Sequence, residues 1–291
     1  MAFKVGDLVV RKSHGGDIIF KIAEIRESDG KEYYVLKGLH YRLLADAPED
    51  DVKAIDAEYL RDEIKEMEKR YDDTLRRVMS RRDTDTKGSD WGAYRGSSEK
   101  KTSIFEMPGK VLHLDGDDEY LRMCLRTYGQ LHMEAVGEHI TETEQPDRVI
   151  ELIRQHQPDI LVATGHDALI GNGKKDFRDI NNYRHSRYYI QTVINARSVR
   201  PSKDDLIIFA GACQSFFEAI LAAGANYASS PNRIFIHAYD PVFIAEKVAF
   251  TPINKTVEIN DAITASVTGV DGVGGIETRG KFRLGMPKSP Y

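Results

Sequence analysis

The stretch Asp204–Gly224, DDLIIFAGACQSFFEAILAAG, decides how this chain folds. Leu206–Ala210 runs apolar without a break, which suits a strand covered on both faces. Gly211 and Ala212 are small, Cys213 follows, and from Gln214 and Ser215 the pattern leads into a helix over Phe216–Ala223. A buried strand that passes through small residues into a helix is the start of a parallel crossover unit. The same rhythm recurs on either side. Lys110–Asp115 (KVLHLD), a segment within His132–Ile140, and Asp159–Ala163 (DILVA) read as the first three strands. The quoted strand is the fourth, and Arg233–His237 (RIFIH) is expected as the fifth. Helices are expected over Glu119–Leu131, over Asp147–Gln157 with Pro158 as its stop, and from about His185 to Arg197. The fold class is therefore α/β: residues 105–291 form a mostly parallel sheet with helices on both faces.

Upstream the pattern changes twice. Residues 1–50 alternate apolar and polar side chains, with turn signals at His14-Gly15-Gly16 and Ser28-Asp29-Gly30. Three or four short strands follow, as in a small all-β, SH3-like module that serves either as a packing appendage or as a peptide binder. Residues 51–104 are a connecting helix and a polar linker. Leu60, Ile64, Met67, Tyr71, Leu75 and Val78 recur at helical spacing between Asp56 and Arg82. Ser80–Ser103, which holds the single tryptophan Trp91, is rich in Gly, Ser and charge. Extended arginine-bearing linkers are favoured cleavage sites, and Arg81, Arg82 and Arg95 stand in this one.

Composition narrows the function. Forty-one basic against 46 acidic side chains give a formal net charge of −5, which argues against a nucleic-acid binder. No apolar run is long enough to cross a bilayer, and the start MAFKVGDLVVRKSHGG lacks the features of a signal peptide, so action inside a cell is expected. The two cysteines, Cys124 and Cys213, build no disulfide framework and no zinc motif. No metal or organic cofactor is expected.

Ligands and chemistry gather at the carboxyl ends of parallel strands. His166, Cys213 and His237 all stand there. A thiol becomes nucleophilic when a helix N-terminus or a histidine favours its thiolate, and both are expected for Cys213. Cys124 lies within a helix and reads as a small buried hydrophobe. His166, on the strand expected beside that of Cys213, is the preferred base and His237 the second choice. The nucleophile elbow of α/β-hydrolases needs glycine two residues after the nucleophile, where Ser215 stands. A papain-like order needs the cysteine early in the domain, and here it is late. Histidine at one strand end and cysteine at the next matches the caspase spacing. The glycine-rich tail GVDGVGGIETRGKFRLG lacks a phosphate-loop ending and reads as turns and short strands.

At these residues the chain resembles caspase-type cysteine peptidases, the clan of clostripain, gingipain and legumain. Over nearly its whole length it resembles the YabG family of sporulation-specific proteases. The matching parts are VGDLVVRKSHGGDIIFKI, ILVATGHDALIG around His166, IIFAGACQSFFEAILAAGANYASSPNRIFIHAYDP around Cys213, and VTGVDGVGGIETRGKFRLGMP. The resemblance implies an endopeptidase that processes spore coat and germination proteins in the mother cell. It implies His166 and Cys213 as a dyad working through a thioester, with the N–H groups of Cys213 and Asp167 as oxyanion donors. Asp167 stands where the wider clan has glycine, so its carboxylate has to point away from a developing oxyanion. Clan members often cut after basic residues, which makes Asp115, Asp117, Asp118 and Asp240 candidates for a substrate pocket, with helix capping by Asp117 and Asp118 and a turn at Asp240 as the alternatives, and makes self-cleavage near Arg81, Arg82 or Arg95 an expectation. A non-catalytic scaffold for coat proteins and a thiol amidase acting on a small molecule are the competing readings.

Overall fold

The computed structural model describes residues 3–28, 30–87, 105–170 and 176–286. Trp91 and Arg95 therefore lie outside the described residues. The N-terminal module has five strands: β1 (Leu8–Arg11), β2 (Phe20–Ser28), β3 (Lys31–Gly38), β4 (Leu44–Pro48) and β5 (Val52–Ala54). They form one antiparallel sheet in the order β4-β3-β2-β1-β5. Its alternating pattern buries Val9, Phe20, Ile22, Tyr34 and Leu36 in a small core of their own. The sheet takes in β5, beyond the boundary expected at residue 50.

Helix α1 (Ala57–Lys87) follows and is longer than its sequence pattern implies. Arg81 and Arg82 thus lie in a helix rather than an extended linker, and Arg82 pairs with Glu246 and donates to the Leu131 carbonyl. The next elements are β6 (Phe105–Met107), β7 (Val111–Asp115), α2 (Asp118–Gln130), β8 (Ala135–His139), α3 (Gln145–His156), β9 (Ile160–Thr164), α4 (Ser186–Val199), β10 (Ile207–Ala210), α5 (Phe217–Ala222) and β11 (Tyr227–Ser229). The chain continues through α6 (Asp240–Phe250), β12 (Thr256–Val257), α7 (Ile259–Ala265), β13 (Val273–Gly275), β14 (Thr278–Arg279) and β15 (Arg283–Gly285).

The central sheet has the order β13-β11-β10-β9-β7-β8, parallel except for β13 at one edge. Every residue of β7, β9 and β10 is buried, because helices cover both faces. Alternate residues divide between two cores. Val111, Val162 and Phe209 pack against α2, α6 and α7, whereas Leu112, Leu161 and Ile208 pack against α3 and α4. The strand order reverses between β7 and β9, which opens the crevice at their carboxyl ends.

One expected strand is displaced. The fifth parallel strand is Tyr227–Ser229, and Arg233–His237 is an extended loop with a single bridge, Tyr41 to His237. Phe235 and His237 carry the apolar and aromatic bulk of a strand, but they face the N-terminal module instead of the sheet.

Candidate active site

β9 and β10 are hydrogen-bonded neighbours, with Ala163 opposite Ala210, and the Gly211 N–H donates to the Ala163 carbonyl at 3.0 Å. The loops bearing His166 and Cys213 therefore leave the sheet side by side. Gly211 has φ +108°, where a side chain is strained, and its Cβ would stand 3.2 Å from Ile220. Gln214, at φ +57°, is left-handed without being glycine, and such outliers gather at functional turns. Between them sits Cys213.

α5 begins only at Phe217. Cys213 is thus in the turn before the helix and not at the helix N-terminus expected to activate it. Its Sγ accepts a hydrogen bond from the Ile236 N–H at 3.3 Å, and the side chain is wholly buried. Burial pushes the thiol up to about 12, so in this conformation it is protonated. Cys124, on α2, is likewise buried and pushed up to about 12.

His166 follows Gly165, whose φ is +153° and whose Cβ would lie 2.2 Å from Glu142 Oε1. That carboxylate accepts the His166 N–H at 2.6 Å. On the ring, Nε2 lies 3.0 Å from Asp117 Oδ2, while Nδ1 is buried and has no hydrogen-bond partner among the described residues. The ring centroid is 5.6 Å from that of Tyr120. Asp117 also caps α2 by accepting from the N–H groups of Glu119 (2.9 Å) and Tyr120 (3.1 Å), and it receives Lys37 Nζ at 2.5 Å. Burial alone would raise its pKa, but His166 and Lys37 together hold it well below the usual carboxylate range.

The Asp167 carboxylate is turned toward the start of α4. It accepts from the N–H groups of Ala168 (2.9 Å) and His185 (2.7 Å), and from the hydroxyls of Ser186 and Ser215. Burial raises its pKa. The N–H groups of Asp167 and Cys213 donate to no other group among the described residues.

Asp115 ends β7 fully buried, with Oδ2 2.6 Å from Arg42 Nη1 and 3.0 Å from Thr164 Oγ1. Burial pushes this carboxyl up, but Arg42 and His113 together outweigh it and bring it down to about 2. Asp118 pairs with Arg122 on the helix surface. Asp240 is occupied by the N–H groups of His237, Val267 and Thr268 and by the Thr268 hydroxyl. His237 is neutral, since burial takes it down to about 3, and its Nδ1 accepts the Tyr239 N–H at 3.3 Å.

Asp115 and Asp117 thus stand at the switch point beside His166, whereas Asp240 is the first residue of α6. Sequence reasoning missed Glu142, Tyr120, Lys37 and Arg42. Glu142 follows the second strand, and the strand-end rule applied to His166 would have found it. Lys37 and Arg42 come from the N-terminal module, and no local pattern marks them. Among the described residues no group of three or more His, Cys, Asp or Glu side chains is arranged to hold a metal ion. No described helix is long and apolar enough to cross a membrane.

The family model described as YabG peptidase U57 matches residues 4–287. The sporulation-specific protease YabG of Bacillus subtilis (strain 168) is 41% identical over 296 aligned positions, which cover 99% of each chain. With a match over almost its full length, the chain belongs to the YabG peptidase U57 family and is a peptidase.

Proposed function

We propose that this chain is a cysteine endopeptidase of sporulation in which Cys213 is the nucleophile and His166 its base. The observation that carries the reading is the arrangement of His166. Its loop leaves β9 beside the Cys213 loop of β10, Nε2 is anchored on Asp117, and buried Nδ1 is left without a partner. An imidazole fixed at one nitrogen and vacant at the other is poised to take a thiol proton.

In the reaction, His166 accepts the Cys213 proton as Sγ bonds to the scissile carbonyl carbon. The resulting oxyanion receives the N–H groups of Cys213 and Asp167. The unused state of both N–H groups and the outward turn of the Asp167 carboxylate support that role. His166 then protonates the leaving amine as the C–N bond breaks, which leaves a thioester. Water, deprotonated by His166, attacks the thioester, and the thiolate departs and regains the proton. Asp117 is a positioning residue that acts through His166.

The substrates are proteins, and buried, ionised Asp115 favours a basic residue before the cut. The relative's description as sporulation-specific supports action during sporulation, and within that setting spore coat and germination proteins, met in the mother cell at the forming coat, are the substrates of this reading. Purified wild-type, Cys213→Ala and His166→Ala proteins, incubated with casein and with a coat protein, test the reading. Cleavage by wild type alone is expected. A Cys213→Ala protein that still cuts would refute it, and would favour a reaction that does not use this thiol.

A further inference from the structure

The loop from β3 to β4 is half-buried at Leu39, His40 and Tyr41 and buried at Arg42 and Leu43. It reaches across to the carboxyl end of the central sheet and pairs with the extended segment at Ile236–Ala238. Tyr41 and His237 form an antiparallel bridge, the Arg42 N–H donates to the Ile236 carbonyl at 3.3 Å, and the Ala238 N–H donates to the His40 carbonyl at 2.9 Å. Ile236 also gives its own N–H to Cys213 Sγ. One residue therefore links the two: Ile236 meets the thiol through its N–H and its carbonyl, and the same carbonyl accepts from Arg42. The Tyr120 hydroxyl, beside His166, fastens the loop further by donating to the carbonyls of Gly38 and Tyr41.

The Arg42 side chain turns inward and is wholly buried. Its guanidinium meets Asp115 at 2.6 Å, the Ala238 carbonyl at 3.1 Å and Cys124 Sγ at 3.3 Å, while Nε has no partner among the described residues. A buried arginine with one nitrogen unmatched is a poor choice for stability alone, because the cost of removing the charges from water offsets their attraction. It fits a pocket shaped to admit a guanidinium and release it. Peptides bound by strand addition are held in this way, with main-chain hydrogen bonds supplying affinity and a side-chain pocket supplying selectivity.

We infer that His40–Tyr41–Arg42 occupies the peptide groove of the chain's own active site, with Arg42 seated where a substrate's basic residue before the cut is held. The inference rests on Cys213 being the nucleophile. The N-terminal module then serves as a built-in occupant, and a protein substrate enters only after this loop has left. Asp115 is the group that selects arginine, first from within the chain and then from the substrate.

Full-length wild type, Arg42→Gln and Arg42→Lys are treated with a peptidyl-arginine acyloxymethyl ketone and with its leucine counterpart, and alkylation of Cys213 is followed by mass spectrometry. Removing the occupant's charge is expected to speed arginyl labelling by about tenfold or more, with Arg42→Lys remaining close to wild type. The leucyl probe, which waits on the same loop, gains by a similar factor but stays far slower than the arginyl probe in every protein. Equal arginyl rates in wild type and Arg42→Gln would overturn the inference.

A second measurement needs no variant. In wild-type protein carrying the arginyl probe, the Arg42 amide, on the departing loop, loses its protection from hydrogen exchange, while the Ala238 amide passes to the main chain of the probe. Protection of the Arg42 amide retained in the labelled protein overturns the inference as well. A wild-type chain found cut between Arg42 and Leu43, and intact as Cys213→Ala, supports the same seating. Failure of the nucleophile assignment is read separately, as cleavage of casein by Cys213→Ala.

Discussion

Asp117 Oδ2 and His166 Nε2 stand 3.0 Å apart, and the carboxylate that anchors the ring is itself fixed as the N-cap of α2. Since a carboxylate only accepts, the neutral ring carries its proton on Nε2 and presents a lone pair at Nδ1. The orientation of the base is thus set by a helix start, a rigid element of the fold.

Asp117→Asn is the variant that separates orientation from folding, because asparagine remains a good N-cap and costs the helix little. Its amide can offer a donor to Nε2 and so favours the other tautomer. A loss of about 10²-fold or more in kcat is expected with KM little changed, and the pH-rate profile should shift. Asp117→Glu should restore part of the rate. A thermal shift accompanied by unaltered kcat and pH profile would show Asp117 to be a cap alone.

Glu142 makes a second testable contact. Its carboxylate fills the space left by the missing side chains of Gly116 and Gly165, and it holds the His166 backbone N–H at 2.6 Å. In Gly165→Ala the new methyl would meet Glu142 Oε1 at 2.2 Å and Tyr189 Oη at 3.0 Å. Strain of this kind costs about 1–3 kcal/mol, and the displaced Glu142 no longer fixes the His166 backbone. A lower Tm and a reduced kcat are expected together, whereas Glu142→Gln, which still accepts, should keep most of its activity. Wild-type kinetics in Gly165→Ala would show that this contact is irrelevant to the base.

Much of this was legible in the residues. Unbroken apolar runs in β7, β9 and β10 announce strands covered on both faces, and they place His166 and Cys213 at neighbouring ends. RIFIH misleads because its bulk is buried against another module, and periodicity does not report which surface does the burying. Arg42 and Lys37 were invisible for a related reason. Their partners, Asp115 and Asp117, lie far along the chain, and such pairings exist only once the module has docked.

The thiols give a prediction with a defined sign. Burial disfavours the thiolate, so both cysteines, each pushed up to about 12, are protonated near neutrality in the closed conformation. Alkylation of Cys213 by iodoacetamide should therefore be slow at pH 8 and climb with pH well beyond the range of a free thiol. Arg42→Gln, by freeing the loop, should bring that rise to lower pH for Cys213, whereas Cys124, still within the core and deprived of the guanidinium that favours its thiolate, should not move to lower pH. Identical profiles for the two thiols in both proteins would contradict this.

Arg42 and Asp115 also govern stability in acid. Burial opposes the Asp115 charge, yet Arg42, helped by His113 Nε2 at 3.3 Å, holds the carboxyl down at about 2, below its ordinary value of 3.8. A depressed carboxyl stabilises the fold above its unfolded pKa, and the contribution is lost as pH falls from 3.8 through 2. Asp167 and Asp240, whose pKa values burial raises, act in the opposite sense, so wild type must be compared with Asp115→Asn rather than studied alone. At pH 7 the variant leaves Arg42 buried without its anion, a loss of about 3–5 kcal/mol. Between pH 6 and pH 3 the gap should narrow by about 1 kcal/mol, because over that interval the unfolded wild-type chain takes up a proton that the native Asp115 does not. Urea unfolding at several pH values reads the gap directly. A difference that stays constant across the range would mean that Asp115 is not the charged partner of Arg42, and the acidic pocket would lose its anion.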